Sequence, residues 1–234
     1  MALGVQLEGE GTGHWVVPLG SPDPAAPGEL LWQIGLDVAH DAPVGPQRLL
    51  FAAIDAEGDA GTQFALPVCV LGDVPDNRAA CDPAAAPPAA VFSLAWQNDA
   101  DLDLVVVTPE GKFVDPKHPT TAPPSDGTDD DEDDGLRPGD GAFDVDGMSA
   151  CNPAGGRREN LVFQEKPRPG TYYLFVRLFD ACDEAGASFV ASVHLAEGEP
   201  PQQREVLRVP GHVQTVHAQG GDDLGLFVTQ LTIQ

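Results

Sequence analysis

Trp96-Gln97-Asn98-Asp99-Ala100-Asp101-Leu102-Asp103-Leu104-Val105-Val106-Val107 is the stretch whose reading decides the fold. Its second half alternates with the period of two that belongs to a β-strand, so Leu102 and Leu104 enter a core while Asp101 and Asp103 share the opposite face. The same alternation runs outward in both directions. Phe92, Leu94 and Trp96 precede it, and Leu161-Val162-Phe163, the run from Gly170 to Phe179, and Phe189, Ala191, Val193 and Leu195 follow. The tail adds Val206 to Val209, Val213 to His217 and Leu224 to Ile233. No segment carries a 3.6-residue apolar period with caps, and Gly 26 and Pro 23 supply turns rather than helices. The expectation is an all-β protein whose residues 91–234 form a β-sandwich.

The N-terminal third repeats the pattern. Leu30, Trp32, Ile34, Leu36 and Val38 alternate, as do Phe64, Leu66, Val68 and Val70. Between them the segment from Arg48 to Gly58 reads as a strand running into an Asp/Gly turn, and Trp15-Val16-Val17 as an earlier strand. Residues 1–72 therefore read as a small antiparallel sandwich of their own. The order of a Gly-Pro step, a strand, an Asp-x-x-Gly turn and a last strand resembles immunoglobulin-like and fibronectin-like modules. Residues 73–90, rich in proline and alanine and holding Cys81, read as a stiff linker. The whole is two antiparallel β-sandwich domains joined by a Pro/Ala-rich linker. Within the second, residues 112–141 read as one long acidic loop with no hydrophobic pattern, which is functional or disordered at such length.

Lys+Arg 12 against Asp+Glu 37 leaves a formal net charge of −25. Such a surface repels phosphate backbones and anionic lipid headgroups, which disfavours nucleic-acid and membrane-surface binding, and it attracts divalent cations and basic partners. No stretch approaches the roughly 20 apolar residues of a membrane span. Met1-Ala2-Leu3-Gly4-Val5 has no basic n-region or apolar h-region, so that, if the protein is exported, the chain reads as a mature form with an added Met1. Four cysteines, Cys69, Cys81, Cys151 and Cys182, form no CxxC and have no histidine at zinc-ligand spacing. An even count in a loop-rich β protein points to two disulfides and an oxidising compartment: secreted, periplasmic or outer-surface. Of three connectivities we favour Cys69–Cys81 and Cys151–Cys182, since each pair stays within one domain or its edge; such loops are worth roughly 3 kcal/mol each in the chain-entropy model.

Asp101 and Asp103 are neighbours on one strand face and repel unless a cation or a base neutralises them. Asp144 and Asp146, in Gly141-Ala142-Phe143-Asp144-Val145-Asp146-Gly147, repeat the spacing. Hard oxygen ligands in this number suit Ca²⁺, which takes about 6–8 of them. Arg157 and Arg158, the densest basic spot, would pair with Asp144 or Asp146 or receive an anionic group. The run Asp129 to Asp134 invites a calcium-loop reading and fails it: Asp130, Glu132, Asp134 and Gly135 fit positions one, three, five and six, but position twelve is Gly141.

Trp96, Asp101-Leu102-Asp103-Leu104, Thr108-Pro109-Glu110-Gly111, Phe143-Asp144-Val145-Asp146, Arg158-Glu159-Asn160-Leu161 and Pro169-Gly170-Thr171-Tyr172, in that order, resemble the YfaP-like β-sandwich domain. The resemblance spans about residues 91–196, and the whole arrangement is also similar to predicted secreted proteins of myxobacterial type. It implies a sandwich in exported proteins whose acidic strand ends meet the Glu-Asn turn. It adds Glu159 and Asn160 to Asp101, Asp103, Asp144 and Asp146 as the candidate cation site.

Catalytic patterns are thin. No serine sits in a GxSxG elbow, there is no HExxH and no phosphate loop, and Trp15, Trp32 and Trp96 all read as core rather than as the lining of a cleft. The function expected is a non-catalytic, exported cell-surface binding or structural module, its second domain stabilised by calcium and its partner a surface protein or glycan. Two rivals stand beside it. One is a glycosidase-like hydrolase using two of Asp101, Asp103, Asp144 and Glu159. The other is an assembly component whose strand at Leu224 to Ile233 adds to a partner's sheet.

Overall fold

The structure, a computed structural model, describes residues 1–9, 11, 13–18, 20–35, 42–123, 136–152, 156–218 and 223–234. The chain is all-β and divides into two compact units.

Unit one comprises Met1–Gly72 with Ala80–Pro83. Strands β1 (Ala2–Leu7), β2 (Trp15–Val17), β5 (Gly45–Ile54) and β6 (Phe64–Val70) form an antiparallel sheet in the order β2-β1-β5-β6. Two further strands, β3 (Ser21–Pro22) and β4 (Leu30–Leu31), make a separate ribbon. The alternating segment that begins at Leu30 is thus a strand for two residues only, and its Leu36 and Val38 lie outside the described residues. Trp15, read as core, is 60% exposed, because β2 is a three-residue outer strand with β1 as its one neighbour. Val5 and Ala52, at the centre of the sheet, are buried. Cys69 on β6 is bonded to Cys81, which is why Ala80–Pro83 belongs to this unit.

Unit two comprises Asp73–Ala79 and Ala84–Gln234 and is a β-sandwich. One sheet holds β10 (Gly141–Phe143), β11 (Arg158–Phe163), β7 (Ala90–Trp96), β13 (Gly186–Glu197) and β14 (Gln202–Gln214), in that order. The other runs β15 (Leu226–Ile233), β12 (Gly170–Asp180), β8 (Asp101–Val107) and β9 (Phe113–Val114). All pairings are antiparallel. Every second residue of the central strands meets its counterparts in one core: Phe92, Leu94 and Trp96 from β7, Leu102, Leu104 and Val106 from β8, Tyr172, Leu174 and Val176 from β12. At its centre the ring of Phe92 lies 5.7 Å from that of Phe163 and 5.3 Å from that of Tyr172, in tilted arrangements that aromatic pairs prefer.

The described residues of two further segments pack against unit two. Asp73–Ala79 and Ala84–Ala90 pack with unit two instead of standing free. The Asn77 amide donates to Ala86 O at 2.9 Å and Gln164 Oε1 at 3.0 Å, and Pro87 and Pro88 are buried. The expected loop 112–141 likewise begins with strand β9, whose Val114 is fully buried, and Thr120 bridges to Ala142. Its acidic run lies within 124–135, outside the described residues. The tail segment read at Val206 to Val209 and the first two residues of the one read at Val213 to His217 belong to the single long strand β14, whereas Thr215–His217 is a 3-10 turn rather than strand.

Phe92→Ala removes a fully buried ring between two others and should lower stability by about 3–5 kcal/mol. Urea unfolding followed by far-UV circular dichroism measures it, and a loss below about 1 kcal/mol would mean that unit two is not packed around these rings.

Candidate functional site

The pleat of β8 sends Leu102, Leu104 and Val106 inward, which leaves Asp101 and Asp103 on the outer face of the sheet. They are nonetheless only 2% and 5% exposed. Arg177 stands directly opposite Asp103 across β12, itself 4% exposed, and donates through Nε at 2.9 Å and Nη2 at 2.6 Å to Asp103 Oδ2. The same Nη2 reaches Asp115 Oδ2 at 3.0 Å, just beyond β9. Asp115 Oδ1 in turn accepts from the His118 backbone at 2.8 Å and lies 2.9 Å from His118 Nδ1. One guanidinium therefore serves two buried carboxylates.

Three further groups close around Asp101 and Asp103. Ala150 N–H donates to Asp101 Oδ2 at 3.0 Å, while Asp101 Oδ1 is buried and has no hydrogen-bond partner among the described residues. Glu159 lies on β11 with the parity of Leu161 and Phe163, so it projects into the sandwich and is 0% exposed. Its Oε2 accepts from Leu104 N–H at 2.7 Å, the Gly147 N–H also approaches the carboxylate, and Oε1 is buried without a close hydrogen-bond partner among the described residues. Asp146 completes the group: carboxylate oxygens of Asp101, Asp103 and Asp146 all lie within 4.8 Å of one another. Gly147 lets this loop come close, since a Cβ there would meet Arg158 O at 2.5 Å and the Trp96 ring at 3.0 Å.

Asp101, Asp103 and Glu159 share a pattern. Each has one oxygen held by a protein donor, and for Asp101 and Glu159 the other is orphaned in the interior. Burying a carboxylate without a counter-charge is expensive, and the protonation behaviour shows it. Burial first, and then the neighbouring Asp103, pushes the Asp101 carboxyl up to about 7. Burial and Asp103 also raise Glu159 well above the ordinary range, and burial raises Asp103 despite its bonds to Arg177. Asp115 is desolvated too, yet Arg177 and His118 bring it below its ordinary value. Oxygen-only donors, several negative charges and orphaned buried atoms are what a hard divalent cation satisfies.

The other expected ligands lie elsewhere. Asn160 alternates to the opposite side of β11 from Glu159, and its N–H and Nδ2 donate to Asp144 Oδ1 at 3.1 Å and Oδ2 at 2.9 Å. Asp144 and Asn160 therefore tie β11 to the loop after β10 and are not part of the Asp101–Asp103–Asp146 group. Among the described residues, neither arginine of the basic spot pairs with Asp144 or Asp146. Arg157 pairs with Asp99 and donates to Asn98 O at 3.0 Å, and Arg158 pairs with Asp73 at 3.2 Å. Cys151 and Cys182 converge with Asp180, but their sulfurs are bonded to each other and are no thiolate ligands. Arg177 and Asp115 were not foreseen. Arg177 did leave one signal, as the lone charge in the apolar run from Gly170 to Phe179.

Comparison with protein-family models, with curated proteins and with solved structures yields no match.

A carboxyl raised in the fold is penalised once ionised. The penalty is absent below the unfolded value of 3.8 and is fully present above the folded value of about 7 for Asp101. In EDTA, stability should therefore rise as pH falls from about 8 to about 5. The urea midpoint across that range checks it; a midpoint that falls throughout would mean these carboxyls are not destabilised by burial.

Proposed function

We propose that the chain is a non-catalytic module of an exported protein, acting in binding or structure at the cell surface, and that its second unit is organised by a calcium ion. The ion is held by Asp101, Asp103 and Asp146 with Glu159 beside them. The observation that carries the reading is that two carboxylate oxygens, Asp101 Oδ1 and Glu159 Oε1, are buried without a hydrogen-bond partner beside converging carboxylates, while Arg177, the one buried cation among the described residues, is shared by Asp103 and Asp115. An ion here would link β8 to β11 and to the loop carrying Asp146, joining the two sheets at one end of the sandwich. Export is supported by the Cys69–Cys81 and Cys151–Cys182 disulfides, which persist in oxidising compartments. Among the described residues, no helix is long and apolar enough to cross a membrane. The order of motifs that resembles the YfaP-like domain points the same way.

The hydrolase alternative is less well supported. An acid–base pair must reach a substrate, whereas Asp101, Asp103 and Glu159 are buried and each has an oxygen engaged by the protein's own donors. The assembly alternative draws support from β15. It lies at a sheet edge, contains no charged residue, and exposes Leu226 and Phe227, whereas natural edge strands are usually blunted by charge or proline.

Titration calorimetry with Ca²⁺ tests the ion directly. Binding should raise the melting temperature, by the equivalent of about 2.7 kcal/mol at a hundredfold excess over Kd, and EDTA should reverse it. Asp146→Asn, at an exposed position, should abolish the heat while leaving the fold intact. No heat and no shift in the wild type would remove the calcium reading.

A further inference from the structure

The loop from Asp144 to Cys151 contributes more than a ligand. It supplies Asp146, brings Gly147 against β11, and offers the Ala150 N–H that holds Asp101 Oδ2 at 3.0 Å. Yet its backbone is an unfavourable one. Met148, Ala150 and Cys151 have φ of 57°, 51° and 61°, in the left-handed region that non-glycine residues adopt only when their surroundings impose it. Something must hold this segment in place, and each of its ends is fastened. At the start, Asp144 N–H donates to Asn160 O at 3.0 Å while its carboxylate accepts from the Asn160 backbone and side chain. In the middle, Met148 is buried in the core. At the far end the one covalent tie is Cys151–Cys182.

The partner end of that bond is itself aimed at the site. Cys182 follows β12, and Asp180, the last residue of that strand, stands opposite Asp101 in the register of β8 and β12. Cys182 N–H donates to Asp180 Oδ1 at 2.8 Å, and Glu184 N–H to Ala181 O at 2.8 Å closes the turn. The disulfide thus connects the loop carrying Asp146 and Ala150 to the strand that flanks Asp101 and carries Arg177.

We propose that the Cys151–Cys182 disulfide is the positioning crosslink of the cation site, so that calcium affinity depends on it beyond any effect on the stability of the fold. The inference rests on the calcium reading above. Without the crosslink, the loop leaves its left-handed conformation, Ala150 N–H is withdrawn from Asp101, and Asp146 no longer converges with Asp101 and Asp103. The ligands remain in the chain, but the arrangement is no longer prepared before the ion arrives.

Calorimetric calcium titrations of the wild type, of the double variant Cys151→Ser/Cys182→Ser and of the double variant Cys69→Ser/Cys81→Ser test it, with melting of each in EDTA measured in parallel. The expected result is affinity lower by about 10- to 100-fold in the first double variant, the range for removing supports of metal ligands, and unchanged in the second. Wild-type affinity in the first variant would overturn the proposal, even if its melting temperature in EDTA had fallen, since that is what a merely structural crosslink gives. Absence of binding in the wild type would overturn the calcium reading and this inference together. If the first variant fails to fold, the titration is made on folded Cys69→Ser/Cys81→Ser protein before and after dithiothreitol. The reagent reduces the remaining bond to two thiols and is itself oxidised to its cyclic disulfide, and unchanged affinity after reduction overturns the proposal.

Discussion

The pleat of β8 imposes the constraint from which the site in unit two follows. Leu102, Leu104 and Val106 cannot face the core without turning Asp101 and Asp103 to the other side, where β12 presents Arg177 directly opposite Asp103. A slip of one residue would put the carboxylates inside and the leucines outside. The core and the charged cluster are therefore two faces of one register. The buried pair between Asp103 and Arg177 is the point where they are locked together.

Around that pair the charge is unbalanced by design of the backbone. Arg177 neutralises Asp103 and Asp115, but Asp101, Asp146 and Glu159 are added by three other segments: the start of β8, the loop after β10, and the inward face of β11. A buried ion pair gains little stability by itself once desolvation is counted, and supernumerary buried carboxylates lower it. Burial answers part of that cost by raising the Asp101, Asp103 and Glu159 carboxyls toward their protonated forms, and a cation bound at these oxygens, as proposed above, would answer the rest.

Strand alternation made much of unit two legible: β7, β8, β11, β12 and β13 all lie where period-two patterns place them, and both disulfides pair as the domain argument favours. Asp101, Asp103 and Asp146 were legible because paired carboxylates on one strand face need an explanation wherever they fold. The patterns failed at short or edge elements. Trp15 alternates like a core residue but lies on an outer strand, and Phe113-Val114 is too short to register as a strand at all. Asp144 and Asn160 carry the chemistry of ligands, yet parity along β11 turns Asn160 away from Glu159, and Asp144 follows it.

By itself, the sequence determined the all-β class, the inward set of each long strand and the concentration of acid at both ends of residues 101–146, because these follow from a period of two and from composition. Only the tertiary structure decided that Arg177 faces Asp103, that Glu159 is an interior group, and that the Cys151–Cys182 bond ties the loop beside Asp101 to the end of β12. Those are contacts across strands and between sheets. Such contacts depend on register and on which strands become neighbours, and neither is written in the local pattern of any one segment.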